Sequence, residues 1–101
     1  MDPIIITDNN FEDVVKSDIP IIIDFYADWC GPCKMQSPII ENIAKNNTNI
    51  KVGKINVDNN PTLAEKCEIM SIPTIIVLKD GEIIKKFIVL TSENEILESI
   101  K

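Results

Sequence analysis

The chain has 101 residues, a length that fits one domain spanning 1–101 and leaves no room for a second core. Its apolar share of 45% is ordinary for a globular protein, while a net charge of −6, with ten scattered lysines as the only cations apart from the amino terminus, excludes the clustered basic surface that nucleic acid requires. No stretch approaches the ~20 apolar residues that cross a bilayer, and Met1-Asp2-Pro3 does not begin a secretory signal. A monomeric cytoplasmic protein with no membrane or nucleic-acid partner is the expectation.

Pro3 to Ile6 reads as a short first strand. Asn9 or Asn10 is placed to cap a helix over 10–17, with Phe11, Val14 and Val15 on its apolar face. After the break at Asp18-Ile19-Pro20, Ile21 to Ala27 is an almost continuous apolar run, the pattern of a parallel strand buried on both faces. A longer helix is predicted from Pro32 or Cys33 to about Lys45, with proline in its first turn and an internal Pro38 that should kink it. Ile50 to Val57 is the next strand. Asn60-Pro61 opens a short helix through Leu63 and Ala64 to about Cys67. Thr74 to Lys79 and Glu82 to Val89 are strands joined by Asp80-Gly81, a hairpin signal. Ser92-x-x-Glu95 is a capping box ahead of Ile96, Leu97 and Ile100. The order β-α-β-α-β-α-β-β-α predicts an α/β fold, a mixed sheet with helices on both faces.

Cys30-Gly31-Pro32-Cys33 falls at a strand-to-helix junction, and that position carries the chemistry. A thiolate, not a thiol, attacks a disulfide. The start of a helix offers unpaired N–H groups and the positive end of its dipole, both favourable to a sulfur anion. Lowering a thiol pKa from about 8.5 by one and a half units requires roughly 2 kcal/mol, whereas the dipole supplies about 0.3–1 kcal/mol. Direct hydrogen bonds, one from the Cys33 thiol among them, must provide the rest. Residues i and i+3 of a helical turn have Cα atoms about 5–6 Å apart, within the range a disulfide accepts. Cys30, ahead of the helix, is expected to be exposed and nucleophilic; Cys33, inside the first turn, is the resolving thiol. Half of a zinc site is the competing reading, but with histidine absent it needs two further ligands from Cys67, carboxylates or another chain. A pair of inert buried cysteines is the other.

The segment from Phe25 to Met35, with Trp29-Cys30-Gly31-Pro32-Cys33 at its centre, resembles the active-site segment of thioredoxins. The likeness continues through Pro38, Lys54-Ile55-Asn56-Val57-Asp58, Ile72-Pro73-Thr74 and Gly81, in the family's order along essentially the whole chain. It implies the thioredoxin fold, a central mixed five-stranded sheet flanked by four helices. It also implies protein-disulfide reduction with no cofactor beyond the Cys30–Cys33 disulfide and no metal, disulfide-containing protein targets, and recycling by a thioredoxin reductase.

Other residues take their meaning around that pair. Asp24 interrupts an apolar strand; burial should raise its pKa and suit it to accept a proton when Cys33 ionises. Lys54 either tunes that carboxylate, as the resemblance implies, or is an exposed lysine on a sheet face, and the two readings stand level. By the resemblance, Pro73 is cis and faces the dithiol, and the backbone of Ile72 bonds an extended target chain. The same likeness sets Trp29, Gly31 and Pro32 on the target-binding surface. Cys67 reads as a small buried hydrophobe. Val89 is a departure: relatives carry glycine there, so the groove wall at Phe87-Ile88-Val89-Leu90-Thr91 is bulkier and its target preference open. A non-catalytic module is the alternative to a reductase. An isomerase or oxidase is a third reading, less favoured because Gly31-Pro32 has no histidine between the cysteines.

Overall fold

A computed structural model describes residues 2–101. Nine elements follow one another: β1 (Ile4–Ile5), α1 (Phe11–Val15), β2 (Ile21–Tyr26), α2 (Gly31–Asn46), β3 (Lys51–Asn56), α3 (Pro61–Lys66), β4 (Thr74–Lys79), β5 (Glu82–Phe87) and α4 (Glu93–Glu98). The strands form one sheet in the order β1-β3-β2-β4-β5. β1 and β2 both run parallel to β3, β4 is antiparallel to β2, and β5 is antiparallel to β4. This is the mixed five-stranded sheet with four helices that the sequence leads one to expect.

The period-2 alternation of the strands divides the core. Ile21, Ile23, Phe25, Ile55, Ile76 and Leu78 face one side and pack with Phe11 of α1 and Leu63 of α3. Ile22, Val52, Ile75 and Val77 face the other and meet Ile40, Ile43 and Ala44 of α2 and Ile96 of α4. Asp24 shares the parity of Ile22, so it projects to the α2 side. It is paired in register with Lys54 on β3 and Ile75 on β4.

Several boundaries differ from the sequence expectation. α1 is a single turn and a half, and Asn10 does not cap it. The Asn10 side chain instead accepts from Thr7 N at 2.7 Å and donates to Ile5 O at 2.9 Å, and Lys16 is already extended. Asn60 likewise makes no cap; its amide donates to Asn56 O at 3.0 Å and accepts from Asp8 N at 3.1 Å, tying two loops together. β5 ends at Phe87, two residues before Val89. Asp80 and Gly81 both have positive φ, 55° and 80°, as a two-residue hairpin turn demands. Ser92 caps α4 by accepting from Glu95 N at 3.2 Å. α2 continues as one helix through Pro38.

Candidate active site

β2 ends at Tyr26, and a tight turn from Ala27 delivers Cys30 as the N-cap of the 16-residue α2, with Gly31 and Pro32 opening its first turn. Cys30 and Cys33 are joined, their Cα atoms 5.3 Å apart. The Cys33 N–H donates to Cys30 Sγ at 3.2 Å, so the helix start puts one of its unpaired amides on the sulfur itself. The expectation of an exposed Cys30 is corrected: in the joined state the residue is only 4% accessible. Its sulfur turns inward to Cys33, and the pair packs with Ala27, Tyr26, Val57 and Ile72.

Exposed apolar groups surround this recess. Trp29 is 70% accessible and donates its indole N–H to Asp58 Oδ2 at 2.8 Å, which fixes the ring on the surface. Together with Val57, Ile69, Met70 and Ile72 it lines a groove of about 350 Å³. Val57 and Ile72 belong both to this groove and to the cluster around the dithiol. The Ile72–Pro73 bond is cis, and it immediately precedes β4. Val89, in the bend after β5, is 69% accessible and lies outside the positive-φ region where glycine would be required. A Cβ on Gly31 would meet nothing within 4 Å, so that position is open to the surface.

Asp24, on β2 and facing the α2 side of the sheet, is fully buried, with neither carboxylate oxygen hydrogen-bonded. Burial pushes its pKa from 3.8 up to about 7, and the positive charge of Lys54 opposes that rise. Lys54 is half-buried; its Nζ donates to Ser37 Oγ at 2.7 Å and sits 4.6 Å from the centre of the Tyr26 ring. An opening of about 190 Å³ is shared by Lys54, Ser37, Tyr26 and Cys33, giving the space between lysine and resolving cysteine a route to solvent. Lys54 is in register with Asp24 across β2 and β3. Cys67 is buried at the end of α3, its pKa raised by burial, and joins the core opposite α2. Among the described residues no group of three or more Cys, Asp or Glu is arranged to hold a metal ion.

Two residues of α2 escape a reading by motif. Ser37 anchors Lys54, and Gln36, fully buried, hydrogen-bonds the backbone of Thr91. The signal for Gln36 is present in the pattern: it is the polar member of the inward stripe Cys33, Gln36, Ile40, Ile43, Ala44.

The Thioredoxin family model matches residues 2–101. The thioredoxin of Rickettsia bellii is 44% identical over 97 residues, covering 94% of this chain and 92% of that protein. The thioredoxin of Mycobacterium tuberculosis is 45% identical over 85 residues, 82% of this chain and 73% of that one. Among solved structures, a mutant thioredoxin from Halobacterium salinarum superposes with a TM-score of 0.90 at 34% identity, covering 98% of this chain and 88% of that one. Oxidised mitochondrial thioredoxin 3 from Saccharomyces cerevisiae does so with a TM-score of 0.86 at 32% identity, over 97% and 92%. With a cysteine pair joined at the head of α2 and this likeness running from end to end, the chain belongs to the thioredoxin family and is an oxidoreductase that reduces disulfides in other proteins.

Proposed function

We propose that the whole chain works as one monomeric domain in the cytoplasm, carrying two electrons at a time from a thioredoxin reductase to protein disulfides, with no cofactor other than its own Cys30–Cys33 pair. The observation that carries this reading is the Cys30 sulfur at the N-cap of α2, within 3.2 Å of the Cys33 amide. In the reduced protein the Cys30 thiolate, held by that amide and the helix dipole, attacks one sulfur of a target disulfide. The Cys30–target bond forms, the target S–S bond breaks, and the departing sulfur takes a proton. Cys33 then gives its proton to Asp24, which at a pKa of about 7 is matched to the task near neutrality. The Cys33 thiolate attacks Cys30 Sγ and expels the second target sulfur, which is protonated in turn. The target gains two electrons and two protons; the chain is left with its disulfide.

Lys54, opposite Asp24, moderates that carboxyl group, and Trp29, Gly31, Pro32, Ile72, Pro73 and Val89 form the surface on which an extended target lies. A reducing compartment suits this chemistry, because the dithiol must be regenerated between turnovers. Among the described residues no helix is long and apolar enough to cross a membrane. Insulin reduction in dithiothreitol tests the reading. Precipitation faster than with dithiothreitol alone is expected, and Cys30→Ser should lower the rate by at least about 10³-fold. Cys33→Ser should instead accumulate a mixed disulfide with insulin. Full activity in Cys30→Ser would refute the assignment.

A further inference from the structure

Gln36 lies one turn after Cys33 on the buried face of α2 and is fully inaccessible. Its Nε2 donates to Thr91 O at 2.9 Å and its Oε1 accepts from Thr91 N at 2.8 Å, so the amide pairs with the backbone of one distant residue much as a neighbouring strand would. Thr91 Oγ1 in turn donates to Val89 O at 2.7 Å. The other end of this segment is held by β4: Phe87 pairs with Ile75, the second residue of β4 and two positions after Pro73. Between these two anchors Ile88, Val89 and Leu90 leave the ladder and expose their side chains. The apolar stretch is thus suspended between β4, which follows Pro73, and the helix that carries Cys33.

We propose that Gln36 is a positioning residue that sets target selectivity: by gripping Thr91 it holds Ile88-Val89-Leu90 as an apolar wall of the target groove, favouring target segments with apolar side chains next to the disulfide. The inference rests on the reading of the chain as a protein-disulfide reductase. An unheld segment would turn the Thr91 N–H and C=O toward water and carry the wall with them, since a buried backbone group without a partner is costly. Binding of a protein target would weaken, whereas a small disulfide, which needs only the sulfur of Cys30, would not sense the wall.

The test compares wild type and Gln36→Met, close in volume and unable to make either bond, in the reduction of insulin and of 5,5′-dithiobis(2-nitrobenzoate). The expected result is a KM for insulin raised about tenfold, with kcat and the small-disulfide rate within about twofold of wild type. Hydrogen exchange at Thr91 should accelerate at least about tenfold, while amides in the middle of α2 keep their protection. Thr91→Ala, which removes only the Oγ1 bond to Val89, should raise the insulin KM by about two- to threefold and carries the test should Gln36→Met fail to fold. Equal losses on both substrates would overturn the inference in favour of a purely structural role. Faster exchange at Thr91 with an unchanged KM would overturn it by showing that the wall is not used. A wild-type protein that reduces the small disulfide but not insulin would instead strike the reductase reading, and the inference with it.

Discussion

Two polar side chains are sealed in the layer between the sheet and α2, one rising from β2 and one descending from the helix. Gln36 has both ends of its amide paired with Thr91; Asp24 has neither oxygen paired. The difference separates two reasons for keeping a polar group in a core. A fully paired group returns its desolvation cost as geometry, because two directional bonds tolerate little displacement. An unpaired carboxyl group returns nothing to stability and persists where its proton is in use. Their neighbours agree with this division, since Asp24 is in register with a lysine that itself lines an opening shared with Cys33, whereas Gln36 faces backbone.

The contrast is most exposed to failure at Asp24. Its folded pKa of about 7 lies above the unfolded value of 3.8. The folded state therefore binds the extra proton between these values, and the contribution of this group to stability is highest below about pH 4, declines as the pH rises to about 7, and is level above that. Asp24→Asn removes the titration and should stabilise the protein at about pH 8.5 by about 4 kcal/mol, three pKa units at 1.36 kcal/mol each, in urea unfolding. It should also slow release of target from the mixed disulfide. Unchanged stability would mean that Asp24 is paired after all.

Gln36→Met should act with the opposite sign, losing about 2 kcal/mol with the two hydrogen bonds to Thr91 N–H and C=O, and by the same amount at pH 5 and pH 8.5. A pH-dependent loss would erase the distinction between the two sites. Lys54→Met sharpens it further: without the opposing cation the Asp24 pKa moves higher, and the decline in stability extends to higher pH, as carboxyl NMR shifts would report. The smallest effect belongs at the surface. The Lys66–Glu12 ion pair, 3.0 Å long with both side chains more than half accessible, should contribute no more than about 0.5 kcal/mol when tested by Lys66→Ala in the same unfolding assay.

Local chemistry explains which parts of the molecule are readable from its residues. The Asp80-Gly81 turn and the Ser92 cap depend on contacts a few residues long, and they stand where turn preference and capping put them; Thr74–Lys79 stands where its apolar run puts a buried strand. Sequence pattern overextends α1 and β5. Propensity carries Val15-Lys16 and Ile88-Val89 onward, but Lys16 is already extended, and beyond Phe87 the chain leaves the ladder on its way to Thr91, which is bonded to Gln36. The burial of Cys30 is likewise invisible in the pattern, because a position ahead of a helix says nothing of the side chains that close over it from Val57 after β3 and from Ile72.

The sequence by itself determined the dithiol, its place at the start of a helix and the sheet that presents it, since three-residue spacing and strand periodicity are properties of neighbouring residues. Only the tertiary structure decided how deep Cys30 lies, that Asp24 has a lysine opposite it and no hydrogen bond, and that Gln36 reaches a residue 55 positions away. Those features are set by which faces of distant segments meet in one core, and burial and pairing there shift pKa values and fix loops in ways that no local pattern records.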